Sequence, residues 1–244
     1  MRQVQLEGAF NFRDLGGYQT ISGQTSRWGM LYRSDDLFRL SERDCDQLNN
    51  LSIRTIVDLR TATEADLRGR PPLEKLNADY FRSSLIDISA DHGFALGKTA
   101  SDYVFQRYQQ ILVEGASNVA EVFRRLIEPN ALPGVFHCAV GKDRTGLVAA
   151  LALEVVGVNR EQILEDYAMT ALSIGAMMAW LDDNAPELAS RIRQLPKIVM
   201  SSDPANLDRL LDWLSFAYGG SRCYLESNGI NSSELDRFIH LLVE

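Results

Sequence analysis

The sequence predicts an α/β fold, a mostly parallel central sheet flanked by helices. Short apolar runs of strand length recur at 28–33, 53–60, 78–82 and 134–136, and the stretches between them carry apolar residues at helical spacing. The last of these runs, Gly134-Val135-Phe136, passes through a polar turn into Leu147–Leu153, the order of a buried strand, a loop and a helix packed on the sheet. Composition agrees: 244 residues with 45% hydrophobic and 24% charged content suit an ordinary globular chain. We expect residues 1–244 to form a single domain.

Taken in order, Asn11–Tyr18 ends in the glycine pair 16–17, a turn signal, and Arg13 and Asp14 read as an ion pair beneath it or as charges facing the site. Trp28–Arg33 reads as a strand with Ser34-Asp35 as its polar exit. Ser41 and Asp44 stand at capping-box spacing before a short helix through Leu48. Ile53–Arg60 is a buried strand with charged ends; Asp58 and Arg60 at its exit either brace the later loop or form a local salt bridge. Thr61–Arg70 starts a helix that Pro71-Pro72 ends, and Ala78–Arg82 is the next strand. A polar segment, Ser89–Lys98, precedes two amphipathic helices at Thr99–Glu114 and Ser117–Glu128. Asn159 caps a helix through Tyr167. Thr170–Leu181, with Met177, Met178 and Trp180, is apolar around much of its circumference and reads as core or as a lid. Helices follow at Pro186–Leu195, from Asp203-Pro204 to Tyr218, and after Asn231, where Glu234 completes the cap.

The net charge of −8 argues against a general nucleic-acid binder, whose footprint is basic. Three scattered cysteines, Cys45, Cys138 and Cys223, imply neither a disulfide framework nor a metal cluster. The first residues lack an apolar run of signal-peptide length, and no run approaches the ~20 apolar residues that span a bilayer. A cytoplasmic location is expected, with export lacking a signal peptide left open; the oligomeric state is not legible.

The chemistry gathers in His137-Cys138-Ala139-Val140-Gly141-Lys142-Asp143-Arg144-Thr145-Gly146. A loop that enters a helix turns backbone N–H groups inward where the helix N-terminus also attracts anions. A cysteine in such a place is an activated nucleophile. Arg144 offers a planar fork for two oxygens of a phosphate, and the amides of Ala139, Val140, Gly141, Lys142, Asp143 and Arg144 offer further donors. Gly141 lets the backbone approach the anion, Thr145 is placed to bond the sulfur, and His137 to orient the loop. Lys142 adds a positive charge that either meets a polyanionic head group or pairs with a nearby carboxylate.

The spacing from Cys138 to Arg144, with His before and Thr-Gly after, resembles the phosphate-binding loop of cysteine-dependent protein tyrosine phosphatases. The full string HCAVGKDRTG is similar to that of the bacterial group typified by the secreted mycobacterial phosphatases. The stretches Asn11–Tyr18, Tyr32–Asp35, Ile56–Arg60, Ala217–Gly220 and Tyr224-Leu225 carry the same resemblance, so it spans nearly the whole chain. It implies a tyrosine phosphatase-like fold with a helical lid or insertion, and hydrolysis of phosphate monoesters through a phosphocysteine. The implied substrates are phosphotyrosine proteins, with phosphoserine or phosphothreonine beside them, or phosphoinositides, and inorganic phosphate would occupy the loop. No metal or other cofactor is required, since Arg144 and the amides supply the charge stabilisation. Asp58 would support the bound phosphate. The Trp-Pro-Asp string that carries the acid in many relatives is absent, so the resemblance nominates Asp143 as general acid, with Asp87 second and Asp91 a solvated carboxylate. Two other readings stay open: a phosphate-binding module with little turnover, and a sulfurtransferase, whose cysteine loop is usually shorter.

Overall fold

A computed structural model describes residues 2–85, 100–194 and 200–244. Five strands form the sheet: β1 (Arg13–Asp14), β2 (Leu31–Ser34), β3 (Thr55–Asp58), β4 (Asp79–Arg82) and β5 (Gly134–His137). Their order is β1-β2-β5-β3-β4, and only β1 runs antiparallel. In β2, β3 and β5 the residues are buried on both faces, as a parallel sheet covered by helices demands. Alternation sends Leu31, Val57 and Phe136 into one apolar core and Tyr32, Ile56 and Val135 into another.

The register places the site. Ser34 of β2 and Asp58 of β3 both pair with His137 of β5, so three carboxyl-terminal strand ends lie abreast. Parallel sheets present their ligand sites at that edge.

On the larger-core side lie α3 (Ala100–Glu114), α4 (Ala116–Ile127) and α5 (Asp143–Val155). With them pack α6 (Arg160–Ala168), α9 (Pro204–Tyr218), α10 (Ser221–Ser227) and α11 (Ser232–Leu242). The α5 helix is buried at every position from Arg144 to Leu153, which is why it reads apolar all round. On the other face α1 (Glu42–Asn50) contributes Cys45 and Leu48. Two further helices, α7 (Ala171–Asn184) and α8 (Pro186–Gln194), form a hairpin with its own apolar cluster. Met177, Leu181 and Ala189 pack there, and Phe10 and Val140 join from below. The hairpin packs on the loop at Val140.

The capping boxes at Ser41/Asp44 and Asn231/Glu234 form, with a third at Thr61/Glu64 that opens α2 (Ala62–Arg68). Asn159 differs from expectation: it precedes α6, but its side chain makes no capping bond. The strand expected from Trp28 starts only at Leu31, because Gly29 turns the chain at φ 73°. Beyond the glycine pair 219–220 the chain resumes as α10, an element whose length gives periodicity nothing to work on. Among the described residues no helix is long and apolar enough to cross a membrane.

Candidate active site

The loop begins where β5 ends. Cys138 follows His137 and is buried at 3% exposure. At Gly141 the backbone enters the left-handed region, φ 71°, and its N–H donates to Cys138 Sγ at 3.3 Å. A Cβ there would lie 2.6 Å from the Ser34 carbonyl and 2.7 Å from the Asp35 nitrogen, so conformation and space both demand glycine.

Side chains outside the loop set which way its peptides face. Asn11 Nδ2 donates to the carbonyls of Val140 and Gly141 at 3.3 and 3.2 Å, and Arg33 Nη2 donates to Gly141 O at 2.7 Å. In a trans peptide the carbonyl and the following N–H point in opposite directions. Drawing those carbonyls outward therefore turns the N–H groups of Gly141 and Lys142 inward. The α5 helix starts at Asp143, and its first-turn amides have no acceptor within the helix. Sulfur, inward amides and helix N-terminus thus converge, a setting suited to an oxyanion.

Arg144 is 5% exposed, and its guanidinium makes a two-pronged contact with Glu64: Nη1 to Oε2 at 2.6 Å and Nη2 to Oε1 at 2.8 Å. Glu64 Oε2 also accepts from the Thr61 amide at 2.9 Å, so the residue that closes α2's cap fixes the fork. Burial alone would raise the Glu64 carboxyl, but Arg144 outweighs it and holds the group below its ordinary value.

Lys142 does not face solvent: it is 2% exposed, with Nζ 3.2 Å from Asp143 Oδ1 and donating to the Ser201 carbonyl at 3.1 Å. Asp143 Oδ1 also accepts from Tyr108 OH at 2.6 Å, and Tyr108 OH bonds Tyr167 OH.

Thr145 Oγ1 is buried without a hydrogen-bond partner among the described residues, and the His137 ring is fully buried. The His137 ring stands against the Cys138 backbone, and its Nε2 lies 3.8 Å from Asp58 Oδ1. Burial lowers the imidazole's affinity for a proton, and the carboxylates of Asp58 and Asp36 do not fully restore it. Arg60 pairs with Asp58 at 2.6 Å and Asp36 at 2.8 Å at the strand exit. Burial works to raise Asp58, but His137 and Arg60 bring it down to about 2.

Behind the loop, Asp166 of α6 accepts from Arg13 Nε at 2.9 Å, from Arg33 Nη1 and from Tyr18 OH at 3.0 Å. Arg13 thus pairs across the fold, and Asp14 accepts from the amides of Gly16 and Gly29 instead. Burial pushes Asp166 up, yet the two arginines hold its carboxyl well below the usual range. Arg13 also bonds the Asn11 side-chain oxygen, so α6 steers both residues that draw the loop carbonyls outward.

The structure therefore gathers Cys138, Ala139, Val140, Gly141, Lys142, Asp143, Arg144 and Thr145 in one loop, with His137 and Asp58 at its base. Asp87 and Asp91 lie outside the described residues. Glu64, Tyr108, Asp166 and Tyr167 were not legible as parts of the site. Only Glu64 had a local signal, the spacing Thr61-x-x-Glu64.

A central strand running into a buried cysteine, inward amides and an arginine at a helix N-terminus makes a site of the kind phosphatases carry. A profile of the tyrosine phosphatase family matches residues 4–244, and the chain belongs to that family. It is 29% identical over 213 residues to a tyrosine-protein phosphatase of Nostoc commune, covering 84% of this chain and 71% of that one. With the triple specificity protein phosphatase PtpB of Mycobacterium tuberculosis it shares 27% identity, over 98% of both chains. Among solved structures, the core catalytic domain of the PP-IP phosphatase SIW14 of S. cerevisiae aligns with a TM-score of 0.41 at 16% identity, covering 79% of this chain and 98% of that one.

Proposed function

We propose that this phosphatase hydrolyses phosphate monoesters through a phosphocysteine, with phosphotyrosine proteins as its main substrates. The observation that carries this reading is the outward anchoring of the Val140 and Gly141 carbonyls, which aims the loop amides at the Cys138 sulfur.

In the first displacement the Cys138 sulfur attacks phosphorus; the S–P bond forms as the P–O ester bond breaks, and Asp143 gives its proton to the leaving oxygen. Arg144 and the amides from Ala139 to Arg144 hold the three equatorial oxygens. Thr145, buried with its hydroxyl uncommitted among the described residues, serves the sulfur as it leaves again. In the second step water attacks the phosphocysteine, returns a proton to the carboxylate and releases inorganic phosphate. His137 stands beneath the loop and orients it, and Asp58 with Arg60 stiffens the strand exit. Asp87 is the second choice of acid.

Lys142 bears on the substrate class. Its engagement by Asp143 and the Ser201 carbonyl supports a role inside the loop over a reach to a second phosphate, which favours proteins over phosphoinositides. The M. tuberculosis relative is a triple specificity protein phosphatase, which supports a breadth beyond one class of substrate.

The test is turnover of p-nitrophenyl phosphate, phosphopeptides and phosphoinositides by the native chain and Cys138→Ser. The reading expects hydrolysis on peptides that vanishes in the variant. Phosphate binding without hydrolysis would leave the binding-module alternative, and transfer of sulfur from thiosulfate to cyanide would leave the sulfurtransferase. Faster turnover of phosphoinositides than of phosphotyrosine peptides would reverse the substrate assignment.

A further inference from the structure

We infer that Tyr108, backed by Tyr167, is the positioning residue that holds Asp143 ready to donate its proton. The inference rests on the reading of Asp143 as the general acid. Three facts point to it. Tyr108 is fully buried on α3, an element remote in sequence from the loop, yet its hydroxyl donates to Asp143 Oδ1 at 2.6 Å. A hydroxyl has one hydrogen to give. With Tyr108 spending its own on Asp143, the bond between the two phenols requires Tyr167 to donate to Tyr108, which makes a relay directed at the carboxyl group. Burial pushes Tyr108 and Tyr167 well above their ordinary values, so both keep the hydrogens the relay needs.

The consequence lies in which oxygen is engaged. Tyr108 and Lys142 both approach Oδ1, and among the described residues no side chain donates to Oδ2. An oxygen that accepts from a phenol and faces an ammonium is a poor place for a proton, so the acidic hydrogen sits on Oδ2. As the P–O bond of the ester breaks and the S–P bond forms, that hydrogen passes from Oδ2 to the leaving oxygen. The relay thus selects the donor oxygen and holds the carboxyl rotation through the reaction. Gly146 belongs to the same arrangement: a Cβ at that position would sit 2.9 Å from the Tyr167 ring, so glycine lets α5 close on the relay.

A positioned acid matters most when the leaving group is a poor one, so the test is a series of aryl phosphates from p-nitrophenyl to phenyl phosphate. Tyr108→Phe keeps the ring and deletes the donor. We expect it to lower kcat/KM on phenyl phosphate about tenfold, a fraction of the 100-fold or more that a general acid supplies, and on p-nitrophenyl phosphate far less. Tyr167→Phe should act in the same direction more weakly. In the Asp143→Asn background Tyr108→Phe should add no further loss, since both act through one group. Inhibition by inorganic phosphate reports an intact loop in each variant. If Asp143→Asn makes the leaving-group dependence steeper while Tyr108→Phe shifts all substrates equally or none, the relay is wrong and the acid assignment survives. If Asp143→Asn leaves the dependence unchanged, the acid assignment fails and takes the relay with it.

Discussion

Gly141 carries more constraint than any other single residue of the site. Its positive φ and its contact with the Ser34 and Asp35 backbone are independent reasons against a side chain. A Gly141→Ala chain would gain strain of about 1–3 kcal/mol and push the loop off the β2 exit. Loss of at least 100-fold in kcat/KM with a lowered Tm is expected, checked by kinetics and thermal melting, because amides displaced by an ångström no longer meet the oxyanion. Glu64 is the second residue to probe. Glu64→Gln keeps an oxygen for the Thr61 amide, and so α2's cap, while removing the charge that holds the Arg144 fork. We expect a fall of about tenfold in kcat/KM, measured beside helix content, which should stay constant. An unchanged rate would show that Arg144 needs no second anchor.

Among the elements, α6 is the brace of the loop. Asp166 meets Arg13 and Arg33 in a fully buried cluster, and Arg33 in turn holds the Gly141 carbonyl. Removing the charge from one member of such a cluster leaves two buried cations poorly compensated, which costs about 3–5 kcal/mol. Asp166→Asn should therefore lower the urea midpoint by that equivalent at neutral pH. A midpoint within experimental scatter of the native one would mean that the cluster contributes orientation only. The α7–α8 hairpin differs in kind. Its apolar cluster is small, and its contact with the loop runs through Val140. Shortening Val140 to Ala should loosen the hairpin, seen as faster amide exchange in α7, while the core helices keep their protection.

Over the whole molecule, buried carboxyl groups make stability depend on pH in two opposing windows. Asp58, at about 2, and Asp166, lower still, bind protons more weakly folded than unfolded. Their contribution is present above the unfolded value of about 4 and is lost as pH falls below it. Asp35 has the opposite sign: burial, only partly offset by Arg39 and the Asn11 and Phe10 amides, raises it to about 6. Between about pH 4 and 6 the folded state keeps a proton there that the unfolded state has released, so its contribution, about 3 kcal/mol, is present at the acid end and lost as pH rises. Asp35→Asn should remove that decline and leave the acid limb, as read by chemical unfolding at several pH values. A native curve without slope between pH 4 and 6 would sink the assignment.

Much of this molecule could be read from the chain alone, because the signals are local. Short apolar runs and helical spacing located the central strands and most helices, the boxes at Ser41/Asp44 and Asn231/Glu234 marked two starts, and the Cys138–Arg144 loop announced its chemistry by spacing. What only tertiary structure decided is which distant side chains hold that loop in shape. Glu64 on Arg144, Tyr108 on Asp143, and Asp166 through Arg13 and Arg33 are long-range pairings. No periodicity encodes such contacts: each arises where separate elements bury polar groups together and those groups must find partners.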